Sequence, residues 1–340
     1  MEFGTFTGFA LRHGQSEHDA FLEWPRLAEL ADDLGIDCFW LAEFHFRPHS
    51  PLSAPLVVAS AIAARTERLK VGLGVQLLPL ANPLRLAEET ATLDQLSQGR
   101  LVYGIGRSSF LDGYQGYGID YQESRPRFFE ALDVLCRAWG PGPFSYEGDY
   151  YSYHDVNVVP KPYQQPHPAI RIACESRASF ARMGQLGFPI MIRYQMDLRD
   201  LQCLLEEYDA ARHQAGFSGP RGVTLQMSCY LAETAQQARS EPRASILEER
   251  ELVIQRIAGR EGDREASARL GALRDETYDE LLNKGLFGTP EAVVDRLQQY
   301  QDVLGITGVS LNINPGGQLP LDRVRNSLRL LMEQVAPRFN

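Results

Sequence analysis

The chain has 340 residues, too many for a small disulfide-stapled module and more than one ordinary core predicts, so either two domains or one large closed architecture is expected. Hydrophobic residues make up 44% and charged residues 23%, which excludes a disordered chain, and 34 basic against 44 acidic residues leave a net charge of −10. With no long Lys/Arg run, that balance speaks against non-specific binding to nucleic acid or an anionic membrane. The five cysteines are widely spaced and form no C-x-x-C, against a disulfide framework or zinc ribbon and for a reducing compartment. The opening MEFGTFTGFALRHG lacks the basic-then-apolar order of a signal peptide. The longest apolar runs fall far short of the ~20 residues of a membrane span. The chain therefore reads as cytoplasmic.

Strand-like and helix-like stretches alternate from the start. Residues 2–8 are a short β-rich stretch, and residues 16–34 carry apolar side chains at helical spacing up to Gly35. Residues 37–42 form a strand, 54–65 a helix rich in small residues, and 69–78 a buried strand. A helix over 83–97 has Pro at its first turn and Gly99 past its end; a strand over 101–105 and a helix over 125–139 follow. Residues 144–159 alternate aromatic and polar residues around Gly148, a hairpin excursion, and lead into a Pro-rich linker. Strands over 169–173, 189–192, 222–231 and 309–313 then alternate with helices over 176–186, 198–215, 236–257, 289–304 and 321–335. Residues 259–281 are charged and poorly patterned. Eight strands, each followed by helix, imply right-handed parallel crossovers and favour a closed (β/α)8 TIM barrel over an open doubly wound sheet. The whole chain, 1–340, reads as one domain with loop insertions near 144–168 and 259–288.

Gly72-Leu-Gly74 and Gly104-Ile-Gly106 end two of these strands, but the third glycine of a dinucleotide fingerprint is Leu at 77 and Ser at 109. These glycines are expected to let a ligand ring or a neighbouring backbone approach closely. His45 and His49 stand four apart, yet Pro48 lies between them and the zincin glutamate is missing, so no metal site is expected. His45 ends the second strand, the end at which barrel active sites lie, and reads either as a functional residue or as a satisfied polar core residue. Arg107 follows the fourth strand, Arg125 opens the next helix, and Ser176 and Ser179 open the helix after the fifth strand. Two guanidinium groups and a helix N-terminus suit a phosphate dianion; on spacing alone, a helix cap and surface arginines are the alternative. The small-residue helix over 54–65 either covers the barrel or forms a subunit interface.

Five motifs in order carry a resemblance: EFGTF at the start, FWLAEFHF at 39–46, LPLANPLRLAEETATLDQLSQGRLVYGIGR at 78–107, ACES at 173–176 and GTPE at 288–291. The chain resembles the bacterial luciferase-like, flavin-dependent monooxygenase family and looks closest to its alkanal monooxygenase alpha-type branch. The resemblance implies a barrel that binds FMN at its C-terminal mouth. It implies that Arg107 and Arg125 hold the phosphate, with Ala173, Glu175, Ser176 and Ser179 beside it. It also implies a cis peptide at Gly74–Val75 behind the flavin ring, a dimer through the second and third helices, and a lid over 259–288. Two positions depart from the luciferase branch. Phe44 stands where the first of two histidines is usual, leaving His45, and Gly106 stands where the reactive cysteine is usual. Both argue against light emission from a long-chain aldehyde.

The implied chemistry is that of a two-component monooxygenase. Reduced FMN (FMNH2) and O2 give a flavin (hydro)peroxide, and one oxygen enters a mostly apolar substrate by hydroxylation or Baeyer–Villiger insertion. With no nicotinamide fingerprint, a separate NAD(P)H:flavin reductase is expected to supply FMNH2. His45 is the expected group to hydrogen-bond the flavin or peroxide and move a proton. Phe9, Phe44, Gln76, Phe110 and Tyr194 are expected to line the substrate pocket. The alternatives are a deazaflavin-dependent hydride-transfer oxidoreductase and a non-catalytic beta-type partner subunit. Retention of Arg107, Arg125, Glu175 and Ser176 argues against the latter.

Overall fold

The computed structural model describes residues 1–6, 9–108, 110–258 and 264–339. The ring strands are β1 (Glu2–Phe6), β2 (Cys38–Leu41), β3 (Lys70–Leu73), β5 (Leu101–Gly106), β8 (Ala169–Cys174), β9 (Ile190–Arg193), β10 (Val223–Leu231) and β12 (Gly308–Asn312). A short β4 (Gln76–Leu77) extends β3, and β6 (Phe144–Glu147), β7 (Ser152–Val156) and β11 (Leu286–Gly288) lie off the ring. Each ring strand pairs in parallel with its neighbours in the order β1-β2-β3-β5-β8-β9-β10-β12, and β12 returns to β1 with Gly4 opposite Ser310. The eight-stranded parallel barrel is thus closed, with no free edge in the ring.

Between the strands run α1 (Glu17–Asp33), α2 (Pro55–Ala63), α3 (Pro83–Leu96), α4 (Leu111–Gly116), α5 (Ser124–Trp139), α6 (Arg177–Leu186), α7 (Leu198–Gln214), α8 (Ala235–Ser240), α9 (Arg243–Ala258), α10 (Arg264–Asp275), α11 (Tyr278–Asn283), α12 (Pro290–Leu304) and α13 (Leu321–Leu330). Their starts follow local chemistry. Ser16 caps α1 by accepting from the Asp19 N–H, and Asn82 accepts from the Leu84 and Arg85 N–H groups ahead of Pro83 in α3. None of these helices is long and apolar enough to cross a membrane.

Four local readings of the sequence change. The strand expected over 69–78 is interrupted: Val71 pairs with Leu101 but Gln76 with Ile105, so one extra residue bulges out of the third strand. The helix expected over 236–257 is two helices, α8 and α9, because Pro242 cannot donate into a continuous helix. The stretch 259–281 holds α10 and α11, and Thr277 with Glu280 forms a capping box on α11; residues 259–263 of the expected lid lie outside the described residues. A further helix, α4, follows β5.

The expected hairpin is present as antiparallel β6–β7, and it docks on α5 through Glu130, whose carboxylate accepts from the Tyr150 and Tyr151 N–H groups. Inside the barrel, Trp40 of β2 is 1% exposed. Gly4 and Gly72 clear its volume, since a Cβ on either would overlap the Trp40 ring. The close approach expected of Gly72 and Gly104 is therefore to neighbouring protein: at Gly104 a Cβ would run into the Leu73 carbonyl. At the N-terminal end of the barrel, Arg171 stands over Trp40 and pairs with Glu2. Burial would raise the Glu2 carboxyl, but the Arg171 guanidinium and the Lys70 ammonium together outweigh it and hold it below the usual range. The bottom of the barrel is filled and tied; the C-terminal rim carries the loops.

Candidate functional site at the C-terminal rim

β2 ends at Leu41, and the chain then runs Ala42-Glu43-Phe44-His45 across the rim. Glu43 and His45 are each 8% exposed. The Glu43 carboxylate accepts three donors: His45 Nε2 at 2.7 Å, Gln76 Nε2 at 2.5 Å and the Leu77 N–H at 2.7 Å. A carboxylate that accepts from an amide and a backbone N–H has only acceptors left to offer, so the His45 ring proton sits on Nε2. His45 Nδ1 faces the Tyr117 hydroxyl at 3.3 Å, and the two rings meet edge to face, 5.1 Å apart at 86°.

The βα loop after β5 closes over this group. Tyr114 of α4 donates to the Arg107 carbonyl, and Arg47 Nε reaches Asp112 Oδ2 at 3.4 Å. Arg47 also lies over the Phe110 ring at 4.0 Å and near Phe44 at 5.1 Å. Gly116 admits the Phe46 ring, which a Cβ there would overlap. A small cavity is left between the two loops, lined by Glu43, Phe44, His45, Arg47, Leu77, Ser108, Phe110 and Gly113. Beside these loops, the ends of the third strand, of β5 and of β8 come close together. The Gly74–Val75 peptide bond is cis, and a Cβ on Gly106 would meet Val75 Cγ2 at 2.5 Å and Ala173 Cβ at 3.4 Å.

That last contact sets the ends of β5 and β8 side by side. Arg107, one residue on, is exposed and donates from Nη1 to Ser124 Oγ at 3.0 Å; Arg125, next to Ser124, is exposed as well. Neither pairs with a carboxylate among the described residues. On the β8 side, Glu175 and Ser176 are exposed, and Ser176 and Ser179 form the capping box of α6. Ser179 Oγ accepts from the Ser176 N–H at 3.1 Å and donates to the Ser176 carbonyl at 2.6 Å. The first turn of α6 contains no acidic residue. Cys174, just before it, is a buried thiol pushed up to about 12 by burial, which makes it a poor nucleophile.

The sequence profile of luciferase-like monooxygenases matches residues 1–307. The chain belongs to that family. It is similar to limonene 1,2-monooxygenase of Rhodococcus erythropolis, 28% identical over 100% of this chain and 87% of that one. It is also similar to the alkanal monooxygenase alpha chain of Photobacterium leiognathi, 25% identical over 95% of each. Among solved structures, the oxygenating constituent of 3,6-diketocamphane monooxygenase from Pseudomonas putida, a type II Baeyer–Villiger enzyme solved with FMN, shares the fold. Its TM-score is 0.85 at 22% identity, over 99% of this chain and 98% of that one. The protein is accordingly a flavin-dependent monooxygenase of the luciferase-like family.

Of the residues singled out in the sequence, this luciferase-like barrel brings His45, Phe44, Gln76 and Phe110 together around one cavity and its carboxylate. Gly74, Val75 and Ala173 stand at the ends of the third strand and of β8, where Val75 and Ala173 flank Gly106, and Arg107, Arg125, Glu175, Ser176 and Ser179 sit along the same rim. Two lie apart. Phe9 is 1% exposed, packs edge to face on Trp24 at 4.7 Å and lines a second small cavity under α1 and α13. Tyr194 turns onto Tyr300 of α12 at 5.2 Å, and burial pushes its hydroxyl up to about 12. Sequence reasoning missed Glu43 and Tyr117. The only signal for Glu43 was a carboxylate at the end of an apolar strand, two residues before His45; nothing local marks Tyr117.

Proposed function

We propose that the chain is the oxygenating component of a two-component system, taking FMNH2 from a separate NAD(P)H:flavin reductase and using O2 to oxygenate a mostly apolar substrate. The observation that carries this reading is the pair of exposed guanidinium groups, Arg107 and Arg125, without carboxylate partners among the described residues, on the same rim as the start of α6. Guanidinium groups present forked donors to a phosphate, and a helix N-terminus adds fixed partial positive charge, so the residues fit the phosphate of FMN. Bound reduced flavin would supply the two electrons that, with O2, put one oxygen into the substrate and send the other out as water.

This chain's own residues do the rest. Arg107 and Arg125 bind the phosphate and orient the ring, with the Ser176 and Ser179 hydroxyls and the Glu175 backbone beside it. Gly74, Val75 and Ala173 back the ring. Phe44 and Phe110 exclude water from the cavity next to His45. His45 holds and moves the proton at Nδ1, because Nε2 is committed to Glu43. The same reading includes a homodimer through α2 and α3, whose outer faces expose Val57 (70%) and Leu96 (63%).

The test is a flavin titration. Arg107→Ala and Arg125→Ala each remove a charge-assisted contact worth about 1.5–3 kcal/mol, so affinity for FMN falls roughly tenfold to a hundredfold while affinity for riboflavin, which lacks the phosphate, is unchanged. Equal losses for both flavins, or tighter binding of a deazaflavin than of FMN by the unaltered chain, would overturn the reading.

A further inference from the structure

We propose that Tyr117 is the proton relay between His45 and its surroundings, a role that rests on the reading of His45 as the proton-carrying group. The imidazole is 8% exposed and both ring nitrogens are engaged: Nε2 at 2.7 Å from Glu43 Oε1, Nδ1 at 3.3 Å from the Tyr117 hydroxyl. A proton that reaches Nδ1 therefore arrives through the Tyr117 oxygen. Tyr117 is placed for this, since it is 49% exposed while its ring lies edge-on against the imidazole. It spans the distance from a buried base to the open rim.

The step balances at every atom. The Tyr117 hydroxyl gives its proton to the lone pair on Nδ1 and takes one from hydronium or a protonated buffer molecule on its outer side, so that the phenol is restored, the acid is left as water or free buffer base and the ring becomes imidazolium. Run backwards, the imidazolium gives the Nδ1 proton to the phenol oxygen as the phenol releases its own to water or buffer base. Glu43 stays an acceptor throughout. It holds Nε2–H and keeps the exchanging position at Nδ1. The charged groups that face this pair are Glu43 from the end of β2, Arg47 from the same loop and Asp112 from α4, the last two paired with each other. Tyr117 is kept in place by Gly113 and Gly116, which let α4 lie against His45 and Phe46, and by the Phe46 ring at 5.5 Å.

The variant that tests it is Tyr117→Phe, which keeps both ring contacts and removes only the hydroxyl. In flavin-free protein labelled with 15N in its histidines, at an acidity where the imidazolium is populated, exchange of the His45 Nδ1 proton with water slows at least about tenfold, with the Nε2–H retained in the neutral ring. Exchange that is unchanged or faster overturns the relay. Reoxidation of reduced FMN in air is then followed in weak buffer: Tyr117→Phe slows it at least about tenfold, and added imidazole restores the rate by delivering the proton directly. A loss that imidazole does not repair also overturns the relay, because a merely structural tyrosine would show that behaviour. His45→Gln separates the wider reading. If that variant reoxidises FMN as the parent does, His45 carries no proton in the reaction, whatever the exchange experiment says of Tyr117.

Discussion

Removing the Glu43 carboxylate perturbs the most connected polar group at the rim. Glu43→Ala leaves the His45 Nε2–H, the Gln76 amide and the Leu77 N–H without their acceptor in a site where the residue is 8% exposed. An unpaired buried donor costs about 1–3 kcal/mol, and the three share one partner, so their losses couple and the total is about 3–6 kcal/mol. Water entering the space left by the side chain brings the value toward the lower end. With an unfolding entropy of about 2.1 cal/mol/K per residue, a chain of this length loses about 4–8 °C in Tm, read by calorimetry. Glu43→Gln keeps the volume but presents an amide. Meeting the imidazole with an N–H, it drives the His45 proton from Nε2 to Nδ1, visible in the 15N spectrum, at about half the thermal cost. An alanine variant that melts within about 1 °C of the parent would refute the network, as would a glutamine variant that keeps the Nε2–H tautomer.

Asp32 tests the linkage of charge to stability. Burial would raise its carboxyl, but the Glu67, Leu69 and Arg68 N–H groups outweigh burial and hold it below the usual range. A lowered folded-state value means stability that is present above the unfolded value of about 3.9 and lost as pH falls through the folded one. Asp32→Asn should therefore melt below the parent at pH 7, and the two curves should converge under acid; a gap that stays constant down to low pH would refute this. Gly72→Ala places a methyl against the Trp40 ring and Cys38 Sγ, and overpacking of about 1–3 kcal/mol lowers Tm by about 1.5–4 °C, whereas an unchanged Tm would show Trp40 free to move. Burial raises the Cys38 and Cys229 thiols, Cys136 to about 11 and Cys174 to about 12, while Cys203 is exposed. At pH 8 a maleimide should modify Cys203 rapidly and the other four only on unfolding; a second fast thiol, counted by mass, would contradict this.

The alternation of short apolar strands with capped helices is local. Each unit carries its own hydrophobic period and its own stop signals, so the eight repeats, the aromatic hairpin and the barrel class were legible residue by residue. So was the position of His45, because a residue just after a strand must lie on the rim of a parallel barrel. Patterning failed where no period exists: the charged stretch that forms α10 and α11, and the single extra residue that interrupts the third strand.

What the chain order alone determined is which residues end strands, and hence that Arg107, Ser176 and His45 share one end of the molecule. Which of them touch was decided only when the ring closed. Glu43 meets Gln76 across 33 residues and His45 meets Tyr117 across 72, separations at which no local propensity acts. Trp40 finds its space only because glycines on two neighbouring strands, Gly4 and Gly72, come alongside it. The physical reason is the same in each case. Strand and helix formation is paid in neighbouring hydrogen bonds and is written in short windows of sequence, whereas a buried acceptor is satisfied by whichever donors the closed barrel brings within 3 Å or so of it.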